Sequence, residues 1–320
     1  MNLDLLADNI TNPALLFFLL GIIAVQLKSD LSIPENSSKF ISLYLLFAIG
    51  FKGGQELSHT SLSMEIVWIV LFGIGMSIVV PFYSFFLLKK KMGIDNAGAL
   101  AAAYGSISAV TFVTCVSYLE MQQISFGGYM IAIMALMEAP AIIVGVLLMS
   151  YFKKEPSSSI SLSKLFRHSL TNGSVLLISG SLVIGFLAND EQARGIEPFT
   201  TDIFKGFLAV FLLDMGIVSG RKLSAFWKNG YFPVAFSILL PLFNGIVVAF
   251  LSSSITESVG DRMLLTVLAA SASYIAVPAA MKLAAPQANP GLYIPMALAV
   301  TFPFNITIGI PFYLFLIQSF

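Results

Sequence analysis

Two short stretches of hydroxyl-bearing and small residues are the part of this sequence equipped to handle an ion. Gly105-Ser106-Ile107-Ser108-Ala109, with Thr111 close behind, lies inside one apolar segment. Ala270-Ser271-Ala272-Ser273-Tyr274 lies inside another, 165 residues further on. A serine in a helix can simply donate back to a carbonyl of its own helix, and for any one of these serines that reading stands. Two Ser-x-Ser steps at matching depth invite another. A helix broken there frees backbone N–H groups at the start of one half and carbonyls at the end of the other. The N–H groups and the dipole behind them favour an anion, and the carbonyls favour a cation. The substrate candidates are therefore Gly105, Ser106, Ser108, Ala109, Thr111, Ser271, Ser273 and Tyr274. Tyr274 either caps the site or packs beside it. The geometry suits a small oxyanion, with Na⁺ near Ser108 and Ser273, or H⁺, as the coupling ion.

Glu138, in Met137-Glu138-Ala139-Pro140, is acidic and well inside an apolar segment. A charge at that depth costs about 3 kcal/mol on insertion scales, so it must face protein or water. It either couples an ion or gates the path, or it makes a structural hydrogen bond at the break caused by Pro140. Asn305, beside Pro303, is expected to line the same cavity and joins Glu138, Ser271 and Ser273 as a candidate for ion coupling or gating. Asp214 is expected to make a structural pairing. Lys52, between Gly50 and Gly53-Gly54, is read at an outer helix end, where it snorkels to the interface or draws anions into a vestibule. Glu120 and Gln123 are expected in a solvated outer loop. His59 and His168 are isolated and lack metal-ligand spacing. An intramembrane enzyme would need a nucleophile with a base, paired aspartates or a metal set at depth, and the sequence offers none, so the chain is not expected to be an enzyme. A channel would need a continuous polar lining, for which the ionisable residues are too sparse. The single Cys115 leaves no internal disulfide and no cysteine metal cluster.

The elements that must hold these residues are membrane helices. The 320 residues are 57% hydrophobic and 11% charged, with net charge zero and mean hydropathy +0.89. Zero net charge makes nucleic acid an unexpected partner, while membrane lipids are expected ones. The apolar residues come in runs of about 20, the length that spans a bilayer. Ten spans are expected, at 13–27, 39–51, 65–88, 96–119, 127–152, 172–188, 203–219, 231–255, 262–284 and 291–318. Ten spans put both termini on one side. With the termini outside, 13 of the Lys and Arg residues fall inside and 4 (Lys52, Arg194, Lys205 and Arg262) outside, which is the asymmetry of a multi-pass protein of the inner or plasma membrane. No cleavable signal peptide is expected, because Asp4 and Asp8 stand where a basic region would be. Trp227 is expected to anchor at the interface.

Self-similarity extends beyond the serine steps. Thr11-Asn12 opens the first span and Thr171-Asn172 the sixth; Gly50 to Leu57 closes the second and Gly216 to Leu223 the seventh. Each unit holds five spans, an odd number, so the second enters the membrane from the opposite side. The fold expected is all-α and polytopic: ten transmembrane helices in two five-helix inverted repeats, with broken helices at spans four and nine. Residues 1–152 form the first repeat, 153–168 a cytoplasmic linker with a Ser-rich run, and 169–320 the second repeat.

In their order along the chain, Lys52-Gly53-Gly54, Tyr104-Gly105-Ser106-Ile107-Ser108, Glu138-Ala139-Pro140-Ala141, Leu213-Asp214-Met215-Gly216, Ser271-Ala272-Ser273 and Ala288-Asn289-Pro290 with Tyr293 resemble the sodium-dependent bicarbonate transporter family. The resemblance covers nearly the whole chain. It implies ten spans in two inverted repeats, a homotrimer, and Na⁺-coupled bicarbonate uptake, with both ions held at the two broken helices. It further implies a small soluble PII-like regulator as partner. Two places depart from the cyanobacterial pattern. Ser108-Ala109-Val110-Thr111 stands for Ser-Gly-Ser-Thr, and Ser271-Ala272-Ser273-Tyr274 for Ser-Ser-Ser-Asp. The second departure replaces a carboxylate with Tyr274, so the coupling cation stays open between Na⁺ and H⁺, and the substrate between bicarbonate and another small anion such as a carboxylate or sulfate.

Overall fold

The computed structural model describes residues 11–61, 63–153, 167, 171–226 and 230–320, and among these every regular element is helical. In chain order the main helices are α1 (Pro13–Gln26), α2 (Glu35–Ser58), α3 (Met64–Met92), α4 (Ile94–Gly105), α5 (Ala109–Met121) and α6 (Tyr129–Phe152). Then follow α7 (Gly173–Leu187), α8 (Phe204–Phe226), α9 (Tyr231–Leu251), α10 (Val259–Ala270), α11 (Ala276–Ala284) and α12 (Pro290–Ser319). Among the described residues, six stretches are long and apolar enough to cross a membrane: Met64–Met92, Ile94–Met121, Tyr129–Phe152, Pro198–Leu223, Tyr231–Ser254 and Pro290–Ser319. The face of α3 that carries Trp68, Leu71, Val79 and Phe82 is exposed, as a helix side turned to lipid is.

The Asn residues that open the similar stretches act as N-caps. Asn12 Oδ1 accepts from Ala14 N at 2.9 Å, and Asn172 Oδ1 from Ser174 N at 3.0 Å. Each satisfies one of the N–H groups that a helix start leaves without a partner.

The glycines of the same stretches do something other than end a helix. α2 continues through Gly53 and Gly54 to Ser58, so Lys52 lies within a helix rather than at its end. A side chain at Gly54 would strike the backbone of α7 at Leu182, and one at Gly216 would strike the backbone of α1 at Phe18. Small residues at these crossings let two backbones touch, the usual basis of helix association in lipid. Accordingly α2 packs chiefly on α7, and α1 on α8. The remaining helices form a second group, in which α3 and α6 enclose α4, and α9 and the end of α12 enclose α10.

One further expectation is corrected. Glu120 belongs to α5 rather than to a solvated loop, and its carboxylate meets Lys52 Nζ of α2 at 2.8 Å. Arg262, counted among the outer basic residues, is buried in α10 and donates to Ala249 O at 3.2 Å. Asp261, next to it, accepts from Tyr129 Oη at 2.5 Å and Gly127 N at 2.7 Å, tying α10 to the start of α6. Arg262 and Asp261, both buried, are thereby hydrogen-bonded, as burial demands. Trp227, His168 and most of the linker (154–166) lie outside the described residues.

Candidate functional site

α4 stops at Gly105, Ser106 is extended (φ −84°, ψ 179°), and α5 starts at Ala109. The chain turns out of the helix where it meets α3: a side chain at Gly105 would collide with the ring of Pro81. α10 stops at Ala270, Ser271 is extended in the same way (φ −93°, ψ 174°), and α11 starts at Ala276. Both helices are thus interrupted at their Ser-x-Ser steps.

The two breaks are bonded to each other. Ser108 N donates to Ser271 Oγ at 3.0 Å, and Ser273 N donates to Ala103 O at 2.8 Å. Ser108 Oγ also caps α5 by accepting from Thr111 N at 3.2 Å. At the end of α10 the carbonyls are already occupied. Asn244 Nδ2 donates to Ala269 O at 3.0 Å, Asn305 Nδ2 to Ala270 O at 2.8 Å, and Ser271 Oγ to Leu268 O at 3.0 Å.

Between the breaks lies a narrow cavity of about 30 Å³. The first residues of α5, Ala109 and Val110, and of α11, Ala276, line it, together with Ser108, Ser273, Tyr274 and Glu138. Ser42 of α2, Ser174 of α7 and Phe211 of α8 complete the polar and aromatic wall. Two helix N-termini therefore converge on one space, where their dipoles add in favour of negative charge. Ser42, Ser174, Phe211, Tyr274 and Ile275 also line a wider cavity of about 480 Å³, whose far wall carries Lys39, Asp214 and Arg221. Asp214 accepts a hydrogen bond from Ser38. Toward the opposite end, Lys52, Glu56, Glu120 and Phe204 surround a constriction, and beyond it Lys52, Gln55, His59 and Arg194 line another cavity of about 390 Å³.

Of the residues singled out in the sequence, Ser108, Ala109, Glu138, Ser273 and Tyr274 share the narrow cavity. The others do not line it. Gly105 is pressed on Pro81, and Thr111 is buried with its N–H capped. Ser271 bridges the two breaks from behind. Ser106 is buried, and its Oγ makes no hydrogen bond. Asn305 braces α10 rather than facing the cavity. Glu138 is 6% exposed and its Oε1 is enclosed without a hydrogen-bond partner. Ser42, Ser174 and Phe211 escaped the sequence reading, because one hydroxyl or ring in an apolar helix carries no distinguishing mark. Asn244 could have been found: like Asn305, it is an amide isolated deep in an apolar run.

A family model described as the Na⁺-dependent bicarbonate transporter superfamily matches residues 13–318. The chain belongs to this superfamily. Its six long apolar helices accord with that membership, and the chain is a multi-pass membrane protein. No curated protein matches its sequence.

Proposed function

We propose that the chain is a secondary transporter that takes up bicarbonate together with Na⁺ by alternating access. The observation that carries this reading is the convergence of the α5 and α11 N-termini, with the Ser108 and Ser273 hydroxyls, on one cavity. Bicarbonate seated there accepts from the free N–H groups of both half-helices and from the serine hydroxyls, and Na⁺ binds beside it. The chain crosses ten times, as two inverted repeats. α1 to α6 and α7 to α12 follow one order: an Asn-capped helix, a Gly-bearing helix, a long helix, a broken helix and a closing helix. Both termini face outward, so the wide cavity with Lys39 and Arg221 opens to the cytoplasm.

The Lys52–Glu120 pair then closes the outer end. It joins α2 of one helix group to α5 of the other. Movement of one group against the other exposes the site to each side in turn. Bicarbonate with one Na⁺ carries no net charge, so such a cycle draws only on the Na⁺ gradient. Each further Na⁺ would add about 2.3 kcal/mol per 100 mV.

Labelled bicarbonate uptake into proteoliposomes is expected to rise with an inward Na⁺ gradient and to saturate. Uptake unchanged when K⁺ replaces Na⁺ would remove the sodium claim. Sulfate or a short carboxylate competing better than unlabelled bicarbonate would reassign the anion.

A further inference from the structure

Among the described residues, Glu138 is the only charged side chain that lines the narrow cavity, and it faces a space otherwise arranged for an anion. It belongs to α6, and Leu45, Leu46 and Val113 line the same cavity. Its Oε1 is enclosed, with no N–H or O–H to satisfy it. An ionised carboxylate there would be buried without a donor, and it would repel the anion that the α5 and α11 N-termini attract.

Charged groups elsewhere do not relieve this conflict. α2, α3, α4, α7, α10 and α11 pack against α6, and none of them places a charged side chain in the cavity wall. Tyr274 is the one other titratable group there. Lys39, Asp214 and Arg221 belong to the adjoining wide cavity, and Lys52, Glu56 and Glu120 to the constriction at the other end. A metal cation has few free oxygens to join at Glu138. The carbonyls of Ala269 and Ala270 are held by Asn244 and Asn305, and Ser108 Oγ already accepts from Thr111 N. A proton needs no ligand shell. It turns one carboxyl oxygen into a donor and removes the charge.

We infer that Glu138 is a proton-binding site of the transport cavity, and that the anion binds only with a proton on this carboxyl. The inference rests on the anion site proposed above. A hydronium ion that reaches the site through the wide cavity breaks one of its O–H bonds and leaves as water while an O–H bond forms on the Glu138 carboxylate, and the reverse step returns the proton to water when the anion has gone. Na⁺ then serves elsewhere in the cycle.

The test uses the full-length protein in detergent at mildly alkaline pH, with bicarbonate as the probe. Calorimetry in buffers of different ionisation enthalpy is expected to show close to one proton taken up per bicarbonate bound. The bicarbonate-induced infrared difference spectrum is expected to gain a protonated-carboxyl C=O band. Glu138→Gln should still bind bicarbonate, with proton uptake near zero and no such band; Glu138→Asp should keep the uptake and move the band. Bicarbonate binding without proton uptake in the wild-type protein overturns the inference. So does uptake that survives in Glu138→Gln, or Na⁺ binding without bicarbonate that Glu138→Gln abolishes. Should bicarbonate not bind the wild-type protein at all, the anion reading fails. The proton site is then judged by the infrared pH titration without anion: a carboxyl band that titrates, and that Glu138→Asp shifts, supports it, and no such band overturns it.

Discussion

The break between α4 and α5 is held by hydrogen bonds of its own chain and of its neighbour, whereas the break between α10 and α11 is braced from outside. In the first, Ser106 N still reaches Ala102 O at 3.0 Å, Ala103 O receives Ser273 N, and Ser108 Oγ caps the new helix. In the second, amides from α9 and α12 occupy the last two carbonyls. Meanwhile the start of α11 has no side-chain cap at Ile275, and Ser273 Oγ reaches Val277 N at only 3.5 Å. The first break thus carries its own helix cap, Ser108 Oγ on Thr111 N, although the Ser106 hydroxyl makes no hydrogen bond. The second is braced at its carbonyl end and lacks a side-chain cap at its N–H end. Backbone donors with weak internal partners are the ones left for an anion, so the two serine steps should contribute unequally: Ser273 and α11 to binding, Ser108 mainly to the fold.

Removing a brace should produce the largest effect. Asn305→Ala leaves the buried carbonyl of Ala270 without its donor, at a cost of about 1–3 kcal/mol. A fall in melting temperature, larger than for any single serine change at either break, is expected in thermal unfolding of the detergent-solubilised protein. A melting temperature equal to that of Ser108→Ala would erase the distinction between the breaks.

Gly105→Ala tests why the first break lies where it does. Its new Cβ would press on the Pro81 ring, and overpacking of this kind typically costs about 1–3 kcal/mol. The second break already has Ala270 at the corresponding place, so Ala270→Gly should be far milder. Thermal melting of the two variants side by side checks this; equal losses would mean that Pro81 does not set the first break.

The serines come next. Ser273→Ala should raise the half-saturating bicarbonate concentration about tenfold, the equivalent of about 1.4 kcal/mol, with little change in melting temperature. Ser108→Ala should do the reverse, losing about 1 kcal/mol of stability with its cap and less affinity. Paired uptake and melting measurements decide; affinity losses of equal size would restore the symmetry of the two steps.

Part of this contrast was legible beforehand. Ser-x-Ser in an apolar run marks an interruption, Asn after Thr marks a helix start, and an acidic residue at depth marks a place that needs a partner or a proton. What stayed hidden was the origin of each partner. Freed carbonyls at Ala269 and Ala270 look available for a cation until Asn244 and Asn305 arrive from helices 25 and 35 residues away in sequence. Gly53-Gly54 reads as a turn because glycine disfavours helix interiors, but contact with α7 outweighs that preference. Glu120 looks solvated by position alone, and only the approach of α2 pairs it with Lys52.

The smallest effect should come from the far end of the first broken helix. Glu120 fastens the end of α5 to Lys52, while Lys282, in the last turn of α11, is exposed and makes no ion pair among the described residues. Both groups of the pair are about a third exposed, so it is worth no more than about 1 kcal/mol and weakens in salt. Glu120→Gln should therefore barely move the melting temperature. Its effect should appear in sidedness instead, because the pair crosses from one helix group to the other at the narrow end. A cysteine introduced at Phe204, which lines that constriction, should label faster from outside in the Glu120→Gln background, after Cys115 is replaced by Ala. Unchanged labelling would reduce the pair to a surface contact and leave Phe204 and its apolar neighbours as the closure.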